Sequence, residues 1–164
     1  QSISMIEAYF APNWGMLRRL GRVIRRRQGS VQIITASRSD NKTTVAAARH
    51  CYKRLLNYGA EISEYTDQKL HTKLIVVDDV TYVGSANFDM RSLYINAEIM
   101  MRIEDSALAE KLRSYAFHGK GAHQYANIHT GINPPLDTRQ AVALAVSLSL
   151  NAPIPDHRFG VFRM

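Results

Sequence analysis

The chain has a single cysteine, Cys51, among 164 residues. That excludes an internal disulfide framework and a zinc site built on cysteines. It has no apolar run of the roughly 18 residues needed to cross a bilayer; the longest candidate, Ala141 to Leu150, is about half that length. It lacks a recognisable signal peptide, an internal repeat and a low-complexity tract. It begins at Gln1 rather than methionine, which leads us to expect a fragment or processed form. Acid is scarce relative to base: 14 Asp and Glu against 21 Lys and Arg give a formal charge of +7. Such a balance favours anionic partners, whether nucleic acid, lipid headgroups or phosphate esters, without choosing among them. What is present is ordinary for a globular domain, with 46% apolar and 21% charged residues, and excludes wholesale disorder.

Up to about residue 115, strand-like and helix-like segments alternate. Ser4 to Phe10 is predicted as a strand and Pro12-Asn13 as a turn. Trp14 to Arg27 is predicted as a helix with Met16, Leu20 and Val23 on one face. Val31 to Thr35 is a β-branched strand. Asp40 or Asn41 caps a helix from about Thr43 to Tyr58, closed by Gly59. Short strands follow at Ile62 to Tyr65, Leu74 to Val77 and Thr81 to Val83, the last two paired across Asp78-Asp79-Val80. A strand at Asn96 to Ile103 and a helix at Ser106 to Tyr115 complete the pattern. The alternation implies an α/β layered domain with a parallel or mixed sheet. From residue 116 the character changes. The last 49 residues hold four of the five prolines, four of the six histidines and no glutamate, and read as an atypical, largely irregular tail.

The chemistry is concentrated between residues 70 and 98. In an extended segment His71 and Lys73 project to the same side, because strand side chains repeat every two residues. An imidazole beside a fixed cation suits an anion such as phosphate better than a metal. The ring can attack phosphorus or carry a proton while the ammonium holds oxygens. Gly84-Ser85-Ala86-Asn87 offers close backbone approach and an amide side chain to an oxyanion. A carboxylate at Glu98 is positioned in sequence to orient the His71 ring. Ser39 and Asn41, within the segment that follows the Val31–Thr35 strand, lie where α/β folds tend to place substrate contacts. Six arginines crowd the first helix: Arg18, Arg19, Arg22, Arg25, Arg26 and Arg27. They form either a solvated face or a contact for anionic lipid. Aromatic residues that could stack bases are not interleaved among them. The tail histidines lack metal-ligand spacing, and Cys51 reads as a packing residue.

The pattern His71-x-Lys73-x4-Asp78 followed by Gly84-Ser85-x-Asn87 resembles the HKD motif of the phospholipase D superfamily. The continuation Phe88-Asp89-Met90-Arg91-Ser92-Leu93-Tyr94-Ile95-Asn96-Ala97-Glu98 resembles the segment after the second HKD motif of bacterial cardiolipin synthases. Ala8 to Pro12 and Arg54 to Tyr65 resemble the same family, so the likeness covers about residues 4 to 115. Two departures stand out: the interval from Asp78 to Gly84 is one residue short, and only one HKD motif is present.

The resemblance implies a phospholipase D-like layered domain with a mixed sheet flanked by helices. Residues 1–115 would form a catalytic half-domain carrying the second HKD motif, and 116–164 a divergent tail. It implies phosphatidyl transfer between two phosphatidylglycerols through a phosphohistidine, with no cofactor and no metal. His71, Lys73, Asn87, Glu98 and Asp78 would be the catalytic set, His71 being the general acid/base. Gly84, Ser85, Ser39 and Asn41 would touch substrate. The implied partners are phosphatidylglycerol or another anionic phospholipid, a membrane surface, and a second HKD half supplied in cis or by homodimerisation; nucleic acid is disfavoured. The implied location is the bacterial cytoplasmic membrane, peripheral or anchored through a missing N-terminal part. The competing expectation is a single-motif phosphodiesterase or nuclease that works as a homodimer.

Overall fold

In a computed structural model, the chain is described over residues 1–66, 69–116 and 159–163. It opens on β1 (Ser2–Glu7) and a two-residue β2 (Phe10–Ala11), followed by helix α1 (Trp14–Arg27), β3 (Ser30–Ala36) and helix α2 (Lys42–Tyr58). Then come β4 (Glu61–Tyr65), the hairpin β5 (Lys73–Val77) and β6 (Val80–Gly84), β7 (Phe88–Asp89) and the short α3 (Met90–Tyr94). β8 (Ile99–Glu104), α4 (Ser106–Ala116) and β9 (Phe159–Arg163) complete the described elements. The main sheet has the order β4-β3-β1-β5-β6-β8-β9, and β2 pairs with β7 in a separate two-stranded ribbon. β4, β3 and β1 run parallel to one another, whereas β5, β6, β8 and β9 join through antiparallel pairings. The sheet is therefore mixed, as expected.

Alternation along the strands builds a core on each face. Ile3 and Met5 of β1 join Val31 and Ile33 of β3, Leu17 and Leu20 of α1, and Ala48, Cys51 and Leu55 of α2. Ile6, Leu74, Val76, Val83 and Ile103 face the other way and pack on Leu108, Ala109 and Leu112 of α4. The run Leu74 to Val77 is apolar throughout because β5 is covered on both faces. Cys51 is a buried core residue, in accordance with its sequence reading.

Local chemistry sets the helix ends. Asn13 caps α1, its Oδ1 accepting from the Met16 amide at 2.9 Å, and α1 ends where Gln28 turns left-handed at φ 48°. Asn41 rather than Asp40 caps α2, accepting from the Thr43 amide at 3.1 Å. Gly59 terminates α2 with φ 98°, a conformation that favours glycine.

Two predicted elements are redrawn and one is added. The strand expected over Ser4–Phe10 is two: after Glu7 the chain bends, Ala8 N donates to the Thr72 carbonyl at 3.0 Å, and Phe10 leaves the main sheet to pair with Phe88. The strand expected from Asn96 begins only at Ile99. α3 was not expected; it is five residues long with Met90 and Tyr94 exposed, so it carries no amphipathic period. It is held by its cap, Asp89 Oδ1 accepting from the Ser92 amide at 2.7 Å. Of the tail from residue 116, Ala116 closes α4 and β9 adds an antiparallel edge to β8; Ala141 to Leu150 and the tail histidines lie outside the described residues.

Candidate active site

The site gathers where the carboxyl ends of β1 and β3 meet the amino end of β5. That arrangement follows from the sheet order, since β5 runs antiparallel to β1 and brings Lys73 into register with Glu7. Open α/β sheets use this edge for ligands because loops diverge from it.

His71 lies just outside β5 with its ring exposed, while Lys73 opens the strand and is almost wholly buried. The Lys73 ammonium lies 3.1 Å from His71 Nε2 and donates to the His71 carbonyl at 2.8 Å. An ammonium can only donate, so this contact matches a His71 ring whose Nε2 carries the lone pair. Between them Thr72 is fully buried, and its carbonyl ties the pair to the end of β1 through Ala8. The two-residue spacing read from the sequence thus brings imidazole and ammonium together.

Asn87 sits half-buried in the turn between β6 and β7, its Oδ1 inaccessible to water and without a hydrogen-bond partner among the described residues. Its backbone is braced by Asp89 N donating to its carbonyl at 2.8 Å.

Ser85 and Glu98 form a unit of their own. Ser85 Oγ donates to Glu98 Oε2 and accepts from Ile99 N at 3.0 Å, while Asn96 Nδ2 donates to Glu98 Oε1 at 3.1 Å. The Ser85 hydrogen bond holds the Glu98 carboxyl below the usual carboxylate range; burial opposes this, and Asn96, Ser92 and the charge of Lys73 assist it. The expected bond from Glu98 to the His71 ring is replaced by these partners. The serine two residues before Asn87 intercepts the carboxylate, and Ser85, itself exposed, bridges Glu98 to the start of β8.

Gly84 closes β6. A Cβ there would lie 2.1 Å from the Ile99 carbonyl oxygen, so the close approach of β8 explains this glycine. Asp78 is at the far end of β5, about 16 Å of strand from Lys73. It adopts φ 50° in the β5–β6 turn and accepts from Ser2 N at 2.7 Å, while its own amide donates to the Ser2 carbonyl at 3.0 Å. Asp78 is separated from the His71–Lys73 pair and ties the hairpin to β1.

The β3–α2 loop approaches His71 from another side. Asp40 pairs with Lys69 at 2.6 Å, and this hydrogen bond, with a smaller contribution from His71, lowers the Asp40 carboxyl from its ordinary value. Ser37, Arg38, Ser39, Lys42, Val45, Ala46 and Arg49 line a cavity of about 600 Å³ beside this loop. Ser39 belongs to that lining, whereas the Asn41 side chain is committed to capping α2. No group of three or more His, Cys, Asp or Glu that could hold a metal occurs among the described residues.

The residue that sequence reasoning missed is Glu7. It is fully buried, with Oε2 accepting from the Phe88 amide at 3.1 Å and Oε1 without a hydrogen-bond partner. Burial drives its carboxyl well above the usual range, against the lowering effects of the Phe88 amide and Lys73. A signal was available: alternation puts Glu7 on the same inward side as Ile3 and Met5, where a carboxylate is out of place.

Comparison with known proteins places these features in a family. Residues 1–118 match the family model described as "Cardiolipin synthase, PLD-like domain". The chain is 34% identical over 113 residues to cardiolipin synthase 2 of Bacillus cereus, covering 68% of this chain and 22% of that protein. It is 37% identical over 84 residues to the minor cardiolipin synthase ClsB of Bacillus subtilis, covering 51% and 21% respectively. The chain thus spans about a fifth of the length of these curated relatives. Among solved structures it resembles Nuc, a phospholipase D family member from Salmonella typhimurium, with a TM-score of 0.57 and 23% identity over 68% of this chain and 72% of that one. NucT from Helicobacter pylori gives 0.52 and 21%, over 70% and 75%. These two likenesses are of fold.

Proposed function

Because the chain belongs to the phospholipase D-like domain family of the cardiolipin synthases, we propose that it is one catalytic half of a phosphatidyltransferase that joins two phosphatidylglycerols. Residues 1–115 are the half-domain in this reading. The observation that carries it is the 3.1 Å contact between His71 Nε2 and Lys73 Nζ.

A histidine from a second HKD half, in cis or from a second copy, attacks phosphorus of the first phosphatidylglycerol. The phosphorus–glycerol oxygen bond breaks and His71, entering this step as the imidazolium, gives one proton to the departing glycerol alkoxide and is left neutral. His71 then takes the proton from a hydroxyl of the second phosphatidylglycerol. That oxygen attacks phosphorus and the phosphorus–nitrogen bond breaks, returning the nucleophile. Lys73 Nζ and the Asn87 Nδ2 amide donate to the non-bridging oxygens, whose charge grows in the transition state. Glu98 acts through Ser85 by fixing the β6–β7 turn, and Ser39 with its loop contributes to headgroup binding. The substrate calls for work at the bacterial cytoplasmic membrane; no described helix is long and apolar enough to cross it.

The competing reading, a phosphodiesterase or nuclease completed by a second copy, draws on the single HKD motif. One experiment separates them. The chain, alone and with a separately expressed N-terminal half of a cardiolipin synthase, is assayed on fluorescent phosphatidylglycerol and on single-stranded DNA. Cardiolipin formation that disappears in His71→Ala is the expected result. DNA cleavage without lipid turnover would sink the transferase reading.

A further inference from the structure

The basic excess of this chain is confined to one layer of the fold. α1 and α2 together hold 31 residues without a single Asp or Glu. They carry ten cations, the six α1 arginines and Lys42, Arg49, Lys53 and Arg54 of α2. The remaining 11 Lys and Arg are outnumbered by all 14 Asp and Glu, so everything outside this layer is net acidic. The two helices lie side by side on one face of the sheet, sharing a core with β1 and β3.

Their outward surface is cationic along its length. All six α1 arginines are exposed, as is Lys53. Among the described ion pairs, Arg49 of this layer meets Glu64 at 2.8 Å. Trp14 and Leu56 stand out of the layer, 60% and 52% exposed. The Arg54 guanidinium covers the Trp14 ring at 3.6 Å and that of Arg25 covers Tyr58 at 4.4 Å. Aromatic faces capped in this way are not open platforms for stacked bases, whereas an exposed Trp among cations suits a lipid headgroup region. The layer also lies on the active side. Lys73 shares its strand parity with Ile75 and Val77, which pack toward the α1–α2 core, so the ammonium leaves the sheet on the side that bears the helices.

We propose that the outer face of α1 and α2 is a docking surface for a bilayer rich in anionic lipid. It seats the chain with the side of the sheet that carries Lys73 toward the lipid. The apolar stripe of α1 is spent on the sheet, through Met16, Leu17 and Leu20, so attachment is electrostatic rather than insertive and weakens as salt rises. The choice of lipid as partner rests on the transferase reading, but attachment does not require turnover.

The test is sedimentation of the full chain with vesicles of phosphatidylcholine alone or with 30% phosphatidylglycerol, alongside duplex DNA, at two salt concentrations. The expected result is binding to the phosphatidylglycerol vesicles, little to neutral ones, and marked loss at high salt. Arg18, Arg22 and Arg26 recur every four residues on the exposed face. The triple variant R18E/R22E/R26E should lower partitioning about a hundredfold or more. The milder R18Q/R22Q/R26Q, with circular dichroism on both, guards against misfolding and should give an intermediate loss. Lys111→Glu on α4, on the opposite face, should leave binding within about twofold, and His71→Ala should bind like the parent even if no lipid is turned over. Binding indifferent to the α1 substitutions, equal binding to neutral vesicles, or binding to DNA without binding to vesicles would each overturn the proposal.

Discussion

Glu7 and Lys73 stand directly opposite each other across β1 and β5, and both are almost wholly withdrawn from water. The pair sets the charge behind the candidate phosphate site. Ionised, Glu7 would offset the ammonium that an anion needs; protonated, it leaves Lys73 as the local cation. Its Oε2 also holds the Phe88 amide, next in sequence to Asn87. One buried carboxyl thus touches the placement of two proposed phosphate ligands that are 14 residues apart in sequence.

Replacing Glu7 with glutamine should therefore change the pH dependence of stability. Burial raises the folded-state value of Glu7 above its ordinary 4.5. The folded state then holds the proton more tightly than the unfolded state. Stability from this site is complete below about 4.5 and is lost as pH rises toward the raised value. Glu7→Gln cannot ionise but keeps an acceptor for the Phe88 amide. Thermal melts between pH 4 and 8 should show the variant gaining on the parent as pH rises. A constant offset at every pH would contradict this.

Lys73→Met and Asn87→Ala should each reduce turnover by about a hundredfold to a thousandfold in the transferase assay, the usual loss when one oxyanion donor is removed. The loss should fall on kcat more than on KM if these groups act on the developing charge. Circular dichroism should show both variants folded, although burying a methionine at position 73 also leaves Glu7 without its cation.

Asp78→Ala should behave in the opposite way. Asp78 is a turn residue bonded to Ser2 at the remote end of β5. Its loss should lower stability by about 1 kcal/mol, the typical net worth of one hydrogen bond, and leave kcat within about twofold. A collapse of activity with unchanged stability would restore a catalytic role for the third residue of the motif.

Tyr52 should titrate far above an ordinary phenol, at about 12. Burial is the principal cause, and the neighbouring Glu64 charge adds to it. Tyr52 donates to Glu64 Oε1 at 3.1 Å, and Arg49 holds the same carboxylate with two bonds of 2.8 Å. Absorbance at 295 nm during an alkaline titration, compared with Tyr52→Phe, isolates this group. A titration step of Tyr52 in the range of an ordinary phenol would refute the buried hydrogen-bonded geometry.

The parts of the site that were legible in the sequence are local ones. His71 and Lys73 are two residues apart, within reach of each other even though His71 lies just outside β5. The span of α1 was legible from its apolar period, and the end of α2 from Gly59. Glu98 was expected to orient the His71 ring, but in the structure its carboxylate bonds Ser85 and Asn96. Ser85 lies 13 residues away across β6 and β8, and only their register decides that its hydroxyl meets Glu98. Likewise the sequence offered Asp40 or Asn41 as the cap of α2, and the bond from the Thr43 amide to Asn41 decided between them.

By itself, then, the sequence determined the secondary-structure alternation, the HKD-like pattern, the anion-seeking charge and the family resemblance, because each is written in spacings of a few residues or in composition. Only the tertiary structure decided that Glu7 backs Lys73, that Asp78 stands apart from His71, and that the two helices carrying ten cations cover one side of the sheet. Those relationships depend on strand order, register and the side of the sheet each helix covers. These are set by burying apolar surface across the whole domain rather than by any neighbouring residue.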